Sequence, residues 1–149
     1  MKKGLKMKNN VPVLYVIVRN DIESMTSGRA EAHSGHVASA FAYRELYQNK
    51  KVNSLVEDWC ESTEQGFGTQ INLDGSYETI ICIDDFLSKN EESDDGYLVW
   101  ETVNDPTYPY KCYITNEYKT RKELTAMYVF GMSDNPLIKE ALGGLKLKP

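Results

Sequence analysis

Hydrophobic and polar residues follow three distinct patterns along the first part of the chain. Residues 11–19 (VPVLYVIVR) form a nearly continuous apolar run rich in β-branched side chains, which predicts a central strand covered on both faces. A polar loop follows at residues 20–27, and apolar residues then recur at helical spacing to about residue 47. A second helix is predicted over residues 52–62, because its apolar side chains share one face and its acidic side chains the other.

Three further strands are predicted in the remainder of the chain. They are residues 77–83 (YETIICI), 97–103 (YLVWETV) and 124–132 (LTAMYVFGM), each rich in β-branched or aromatic residues. The acidic stretch after the first of them has little periodicity, and we expect it to contain one short helix at residues 86–89.

Prolines divide the last third of the chain. Pro106 and Pro109 are expected to interrupt regular structure, and residues 113–114 to begin a short hairpin arm. The pair Asn135-Pro136 is a typical helix start, and the two glycines after Leu142 end that helix.

The predicted order of elements is β-α-α-β-(short α)-β-β-α. This order, with an apolar first strand, indicates an α/β fold: a mixed sheet of four or slightly more strands with helices on both faces, in three α/β/α layers. A chain of 149 residues is long enough for one hydrophobic core. We therefore expect a flexible basic tail at residues 1–10 and a single domain at residues 11–149.

Charge is distributed unevenly along this sequence. The net charge of −5 disfavours nucleic acid, which is bound through lysine and arginine. Basic residues nevertheless gather in the first ten positions and at residues 111–122, whereas acidic residues gather at residues 57–64 and 84–95. A molecule with one basic and one acidic face is consistent with this pattern.

The cysteines and the apolar runs bear on the protein's location. The three cysteines, Cys60, Cys82 and Cys112, have no C-x-x-C spacing and are expected to be reduced thiols. No apolar run reaches the roughly twenty residues that cross a bilayer. We expect a cytoplasmic protein without a membrane partner.

The predicted start of the first helix, TSGRA, has the features of an anion-binding site. Arg29 adds a positive charge where the helix dipole disfavours one, which suggests a function. An ion pair of Arg29 with Asp21 or Glu31 is the simpler explanation of that charge taken alone. The residues that could cap the helix or contact an anion are Thr26, Ser27, Gly28 and Arg29.

Five segments in matching order resemble the type II peptidyl-tRNA hydrolases, a family also found in archaea and eukaryotes. They are VIVRNDIESM, SGRAEAHSGHVASAF, VNDPT, LTAMYVFG and GGLKL. The resemblance extends, with gaps, from Val13 to Leu147. It predicts that the single domain is similar to that of the peptidyl-tRNA hydrolases.

Individual residues both match and depart from the family's motifs. Ser27 and Arg29 stand where the family has lysines, and the second of those lysines is thought to be catalytic. The positions that match are Arg19, Asp21, Met25, Gly28 and His36.

A second motif, D-A-G-x-T in the family, reads DPTYP in this chain. Asp105 matches the family's functional aspartate, but Pro109 stands in the place of the threonine. Thr107 is a candidate to compensate for it. An insertion at about residues 110–122 separates this motif from the last strand.

The resemblance implies hydrolysis of the ester that joins a peptide, or a blocked aminoacyl group, to the terminal ribose of tRNA. Asp105 would orient the attacking water, Arg29 would stabilise the oxyanion, and Thr107 would assist. The family's reaction needs no metal or organic cofactor. Because a guanidinium does not shuttle protons near neutral pH, activity depends on whether the cation acts electrostatically or by proton transfer.

Two histidines and a basic arm complete the predicted binding residues. His33 is expected at the rim of the site and His36 against the sheet, and neither has a partner at metal-binding spacing. The tyrosines and bases at residues 108–122 could stack on an unpaired tRNA end, or could pack as a hairpin on the sheet edge. The predicted substrate-binding set is Thr26, Ser27, Gly28, His33, His36, Lys111, Lys119, Arg121 and Lys122.

A second hypothesis is that the chain keeps the fold of the family but has lost its reaction. The protein would then be a protein- or nucleotide-binding module. The Asn, Lys, Ser and Tyr content suits an AT-rich genome, so a bacteriophage origin is a further hypothesis. Dimerisation occurs in the family, which makes a homodimer an expectation.

Overall fold

The computed structural model describes residues 10–51, 53–91 and 97–148. Its strands are β1 (Pro12–Arg19), β2 (Gln70–Gly75), β3 (Val99–Lys111) and β4 (Tyr118–Met132). Its α-helices are α1 (Ser27–Tyr43), α2 (Asn53–Glu61), α3 (Tyr77–Lys89) and α4 (Pro136–Leu142), and a π-helical segment (Arg44–Asn49) continues α1. The tail predicted at residues 1–10 falls, apart from Asn10, outside the described residues.

The strands form one mixed sheet in the order β2-β1-β4-β3. β1 is parallel to β2 and antiparallel to β4, and β3 is antiparallel to β4. The first strand is therefore interior, as its apolar run predicts, and Leu14, Val16 and Ile17 are fully buried. The predicted α/β class with a mixed four-stranded sheet is confirmed.

Two clusters of buried side chains form the core, and alternate residues of β1 belong to each. Leu14 and Val16 pack in one cluster with residues of α1 and α2, including Phe41 and Trp59. Ile17 packs in the other cluster with residues of α3 and α4. Because successive side chains of a strand point to opposite faces, each pair of helices covers its own face of the sheet.

The strand predicted at residues 77–83 is wrong, since this segment forms the first half of α3. Ser76 caps the helix, and its Oγ accepts a hydrogen bond from the Thr79 amide at 3.1 Å. An isoleucine-rich segment looks like a strand locally, and here its apolar residues instead share one helix face. The residues buried on that face are Ile80, Ile83 and Leu87.

β3 continues through both prolines to Lys111. The irregularity predicted at Pro106 is present as an unpaired position in the ladder, whereas that predicted at Pro109 is wrong, since Pro109 pairs with Thr120. β3 lies at an edge of the sheet, where a residue without an amide hydrogen is tolerated. The register with β4 shifts between Asp105 and Tyr108, and such irregularities re-aim side chains. The predicted hairpin arm is the far end of this β3–β4 hairpin, whose turn spans residues 112–117.

The last helix begins as its sequence predicts. Asn135 Oδ1 accepts hydrogen bonds from the amides of Leu137 and Ile138 at 2.9 and 3.3 Å, and Pro136 occupies the first turn. Among the described helices, none combines the length and the apolar composition that a membrane span requires.

Candidate active site

The loop between β1 and α1 leads to the N-terminus of α1, whose first residues are exposed. Thr26 caps α1, because its Oγ1 accepts a hydrogen bond from the Arg29 amide at 3.2 Å. Ser27 and Gly28 are exposed. A Cβ added at Gly28 would meet no atom of the described residues within 4 Å. A ligand can therefore approach the first amides of the helix closely.

Arg29 is held over the site by the loop that precedes it. Its Nη1 donates a hydrogen bond to the Ser24 carbonyl at 3.0 Å, and its guanidinium carbon lies 5.8 Å from the centre of the Tyr108 ring. Neither Asp21 nor Glu31 forms an ion pair with Arg29, although both lie within the described residues. The positive charge of Arg29 is thus left available for a ligand.

His33 lies on the inner face of α1 and is only 4% exposed. Its Nε2 lies 3.7 Å from Asp105 Oδ2. Burial lowers the pKa of His33, and the charge of Asp105 opposes that effect only in part. The imidazole is therefore neutral near pH 7 and can accept a proton.

The two histidines exchange the positions that the sequence predicts for them. His33, expected at the rim, is buried, and His36, expected against the sheet, is exposed. Their rings are 5.5 Å apart and meet edge to face. The rotation of α1 about its own axis, as it packs on the sheet, decides which histidine faces inward. This rotation cannot be predicted from the local sequence.

Asp105 is oriented by a turn within β3. Its Oδ1 accepts a hydrogen bond from the Thr107 amide at 2.9 Å, and the Thr107 hydroxyl lies 3.4 Å from the same oxygen. The other oxygen, Oδ2, faces His33. Thr107 therefore helps to hold the carboxylate in place.

The sequence places Tyr108 in the basic arm, either stacking on tRNA or packing on the sheet edge, and does not assign it to the site. Tyr108 is 1% exposed, and its hydroxyl accepts a hydrogen bond from Ser24 Oγ at 3.1 Å. Its ring lies 5.6 Å from the ring of His33 and beneath Arg29. Tyr108 thus joins the helix start to β3 and brings Arg29, His33 and Asp105 into one group.

Arg19 and Asp21, which match the family's motif, brace the loop below this group. Arg19 Nε donates to Asp21 Oδ1 at 2.8 Å, and its Nη1 donates to Glu123 Oε2 at 2.9 Å. The hydrogen bond from Arg19 lowers the pKa of Asp21. Asp21 Oδ2 also accepts from the Tyr77 amide at 3.2 Å, which ties the loop to the start of α3.

The basic arm extends outward from the site along the β3–β4 hairpin. In the strand register, Tyr108 faces Arg121, and Tyr110 faces Lys119. The guanidinium carbon of Arg121 lies 4.5 Å from the centre of the Tyr110 ring. Tyr113 is 91% exposed, so the tyrosines of the arm do not all pack on the sheet. The exposed bases of the arm are Lys111, Lys119, Arg121 and Lys122.

Three surface cavities of the described structure lie away from this group. They have volumes of about 330, 460 and 290 Å³ and lie along the edge of β3, between α3 and α4, and beside the π-helical segment. None of the three is lined by Arg29, His33 or Asp105. Within residues 10–51, 53–91 and 97–148, no three His, Cys, Asp or Glu side chains are grouped to hold a metal ion.

In comparison with known proteins, no family model matches the chain, and no curated protein sequence matches it. The family resemblance therefore depends on the motifs quoted above.

Proposed function

We propose that this protein hydrolyses the ester bond between a peptide, or a blocked amino acid, and the 3′ ribose of tRNA. The observation that carries the proposal is the meeting of Arg29, His33 and Asp105 around the ring of Tyr108. Acyl transfer to water needs a proton acceptor and a cation that stabilises the developing oxyanion. This group supplies both without a cofactor.

In this proposal Asp105 and His33 together activate the water. Asp105 is partly exposed and can orient the water, and neutral His33 behind it can share the proton that the water releases. The water oxygen bonds to the carbonyl carbon, the bond from that carbon to the ribose oxygen breaks, and the proton passes to the departing ribose oxygen, which becomes a hydroxyl. The 3.7 Å separation would shorten when substrate excludes solvent.

Arg29 acts electrostatically in this scheme. A guanidinium stays charged near neutral pH and does not shuttle protons, so it suits the oxyanion and not the water. The open amides at the start of α1 add partial positive charge at the same place. The proton transfer that a lysine could perform is assigned here to the Asp105–His33 pair.

The basic arm is the part of the proposal that concerns tRNA. Lys119 and Arg121 lie opposite Tyr110 and Tyr108 on the hairpin that also carries Asp105. Bases along this hairpin would contact phosphates, and exposed tyrosines such as Tyr113 would stack on the unpaired end. A peptidyl-tRNA substrate would place the protein in the cytoplasm, and a homodimer stays a prediction.

The test is hydrolysis of N-acetylated aminoacyl-tRNA by the purified protein. Replacing Asp105 by Asn, or Arg29 by Ala, should each lower the rate by about a hundredfold or more, as for loss of one oxyanion donor or base. Arg29→Lys should retain much of the rate. Glu31→Gln, at an exposed position of the same helix, is the matched control and should leave the rate unchanged.

A binding protein that keeps the fold without the reaction is the second candidate. The observation that favours it is that Arg29, His33 and Asp105 line none of the three cavities described above. A native protein that neither cleaves the substrate nor binds tRNA at low salt would support this candidate against the hydrolase. Cleavage that is unaffected by Asp105→Asn would also contradict the hydrolase site.

A further inference from the structure

The β3–β4 hairpin carries its most exposed apolar side chains at its turn. Ile114 and Tyr113 are 95% and 91% exposed, more than any other large apolar side chain of the described residues. The nearby Tyr118 is 76% exposed. Apolar side chains grouped on an exposed surface mark a site of interaction. The turn is therefore a candidate contact surface.

Backbone hydrogen bonds define the shape of this turn. The Cys112 amide donates to the Glu117 carbonyl at 2.8 Å, and the Asn116 amide donates to the Cys112 carbonyl at 2.7 Å. Asn116 has a φ of 60°, a left-handed conformation that asparagine adopts more readily than most residues. Tyr113 and Ile114 lie within this closed turn, which presents both side chains to solvent.

One face of the hairpin connects this turn with the group around Tyr108. In the register of β3 with β4, Tyr108 is paired with Arg121. Two residues further out, Tyr110 is paired with Lys119. Paired residues of antiparallel strands point to the same face, and so do alternate residues of one strand. Because Tyr108 packs beside His33 of α1, all four side chains lie on the face of the sheet on which α1 packs.

Arg121 and Tyr110 form an exposed stack on this face. The guanidinium carbon of Arg121 lies 4.5 Å from the centre of the Tyr110 ring, and the Arg121 Nε donates a hydrogen bond to Glu123 Oε1 at 3.0 Å. The Arg121 side chain is still 56% exposed. Unpaired bases stack on guanidinium groups as well as on aromatic rings, and lysines neutralise phosphates. The stack, with Lys119 beside it, therefore suits a single strand of RNA.

The length of β3 between the site and the turn limits how much RNA fits along this face. Asp105 and Lys111 are six residues apart in β3, which corresponds to about 20 Å. A single strand rises about 3.4 Å per stacked nucleotide, and more when it is extended, so this distance spans roughly three to six nucleotides. The unpaired 3′ end of tRNA falls within this range. With the ester at Asp105, the paired acceptor helix would therefore begin at the turn.

We propose that the β3–β4 hairpin selects its substrate by the length of the unpaired 3′ end of the RNA. The inference rests on the proposed function, which places the ester in the candidate active site. Unpaired bases stack along Arg121 and Tyr110, and Tyr113 and Ile114 pack where the unpaired end joins the paired helix. The charge of the hairpin supports RNA as the occupant, since residues 110–122 contain four basic residues and one acidic residue in a chain of net charge −5.

The first experiment compares, by fluorescence anisotropy, an RNA stem-loop that ends in the 3′ sequence of tRNA with the same 3′ strand without the stem. The native protein should bind the stem-loop about tenfold more tightly, the effect of one additional stacking contact. The double variant Tyr113→Ser with Ile114→Ser should lose most of this preference. Tyr43→Ser, 57% exposed at the end of α1, is the matched control and should keep it. Failure to bind either RNA, or equal preference in the native protein and the double variant, would overturn the proposal.

The second experiment measures hydrolysis of an N-acetylated aminoacyl ester on stem-loops whose unpaired end has the length found in tRNA or about twice that length. The native protein should cleave the first about tenfold faster, by kcat/KM, and the double variant should cleave both at similar rates. Cleavage by the native protein that is independent of length would overturn length selection and leave the hydrolase supported. Absence of cleavage, with the preference for the stem-loop retained and lost in the double variant, would instead contradict the hydrolase and support the contact of the turn with RNA.

Discussion

His33 Nε2 lies 3.7 Å from Asp105 Oδ2, so that a buried imidazole of α1 and a carboxylate of the edge strand β3 form a pair. The ring of Tyr108 packs beside His33 and beneath the guanidinium of Arg29. Side chains from two distant parts of the chain thus share one small volume. A change in the charge or size of one of them alters the surroundings of the others.

The burial of His33 makes the stability of the protein depend on pH. Burial lowers the pKa of His33 below 6.5, so the unfolded chain takes up this proton more readily than the folded protein. As the pH falls through about 6.5, the free energy of unfolding therefore decreases. His33→Asn should lessen this decrease, which urea unfolding at about pH 7.5 and 5.5 measures.

The control for this prediction is the neighbouring histidine. His36→Asn, at an exposed position, should change this pH dependence less than His33→Asn does, because burial is a larger cause of the lowered His33 pKa than the charge of His36 is. An equal pH dependence in the native protein and in His33→Asn would contradict the assignment.

Tyr108 should contribute to stability through its hydroxyl as well as its ring. Tyr108→Phe removes the hydrogen bond from Ser24 Oγ and leaves the ring in place, so we expect a loss of about 1 kcal/mol in the free energy of unfolding. Tyr113→Phe is the matched control, because Tyr113 is almost fully exposed, and it should change stability by less than about 0.5 kcal/mol. Equal values for the two variants in urea titrations would argue against the packed role of Tyr108.

Among the ionic residues around the loop below the site, Arg19 should contribute most to the free energy of unfolding. Arg19→Met leaves Asp21 and Glu123 without their shared cation. Because Arg19 is buried while both carboxylates are partly exposed, we expect a loss of about 2 kcal/mol, the range for hydrogen bonds to charged groups. The more exposed Arg121, which also pairs with Glu123, is the control, and Arg121→Met should cost less than about 1 kcal/mol. Urea titration measures both, and a smaller loss for Arg19→Met than for Arg121→Met would be contrary to this account.

The basic arm should determine how tRNA binding depends on salt. Lys119→Ala and Lys122→Ala should each lower affinity for tRNA and reduce the slope of log affinity against log salt by about 0.7 to 0.9, the value for one phosphate contact. Lys89→Ala is the control, since Lys89 lies on α3 and pairs with Asp85. Filter binding across a salt series measures the slopes. An unchanged slope in both arm variants would remove the arm from the proposed interface.

Parts of the fold follow from local sequence, and others depend on contacts between distant segments. The apolar run of β1 and the Asn135-Pro136 start of α4 carry their own signals, and both are confirmed. β2 is not predicted from the sequence, because the strand is short and half-buried and has polar residues at Gln70, Asn72 and Asp74. The misassigned start of α3 has a strand-like composition, and only its burial at Ile80 and Ile83 shows the helical period.

The candidate site also combines residues that local sequence predicts with residues whose positions depend on contacts between distant segments. Thr26 and Gly28 can be assigned to a helix start from the sequence, because capping is a local property. Tyr108 cannot be assigned to the interior in this way. Its inward position follows from the shift in register between β3 and β4, which depends on how two strands pair.

The β3–β4 hairpin has a consequence for how the chain folds. Its strands are joined by a single turn at residues 112–117, so their pairing requires little loss of chain entropy. The parallel pairing of β1 with β2 must close a loop that contains both α1 and α2, which is intrinsically slower. During refolding we expect the hairpin to be protected from hydrogen exchange first, before α1 docks and carries His33 to Asp105.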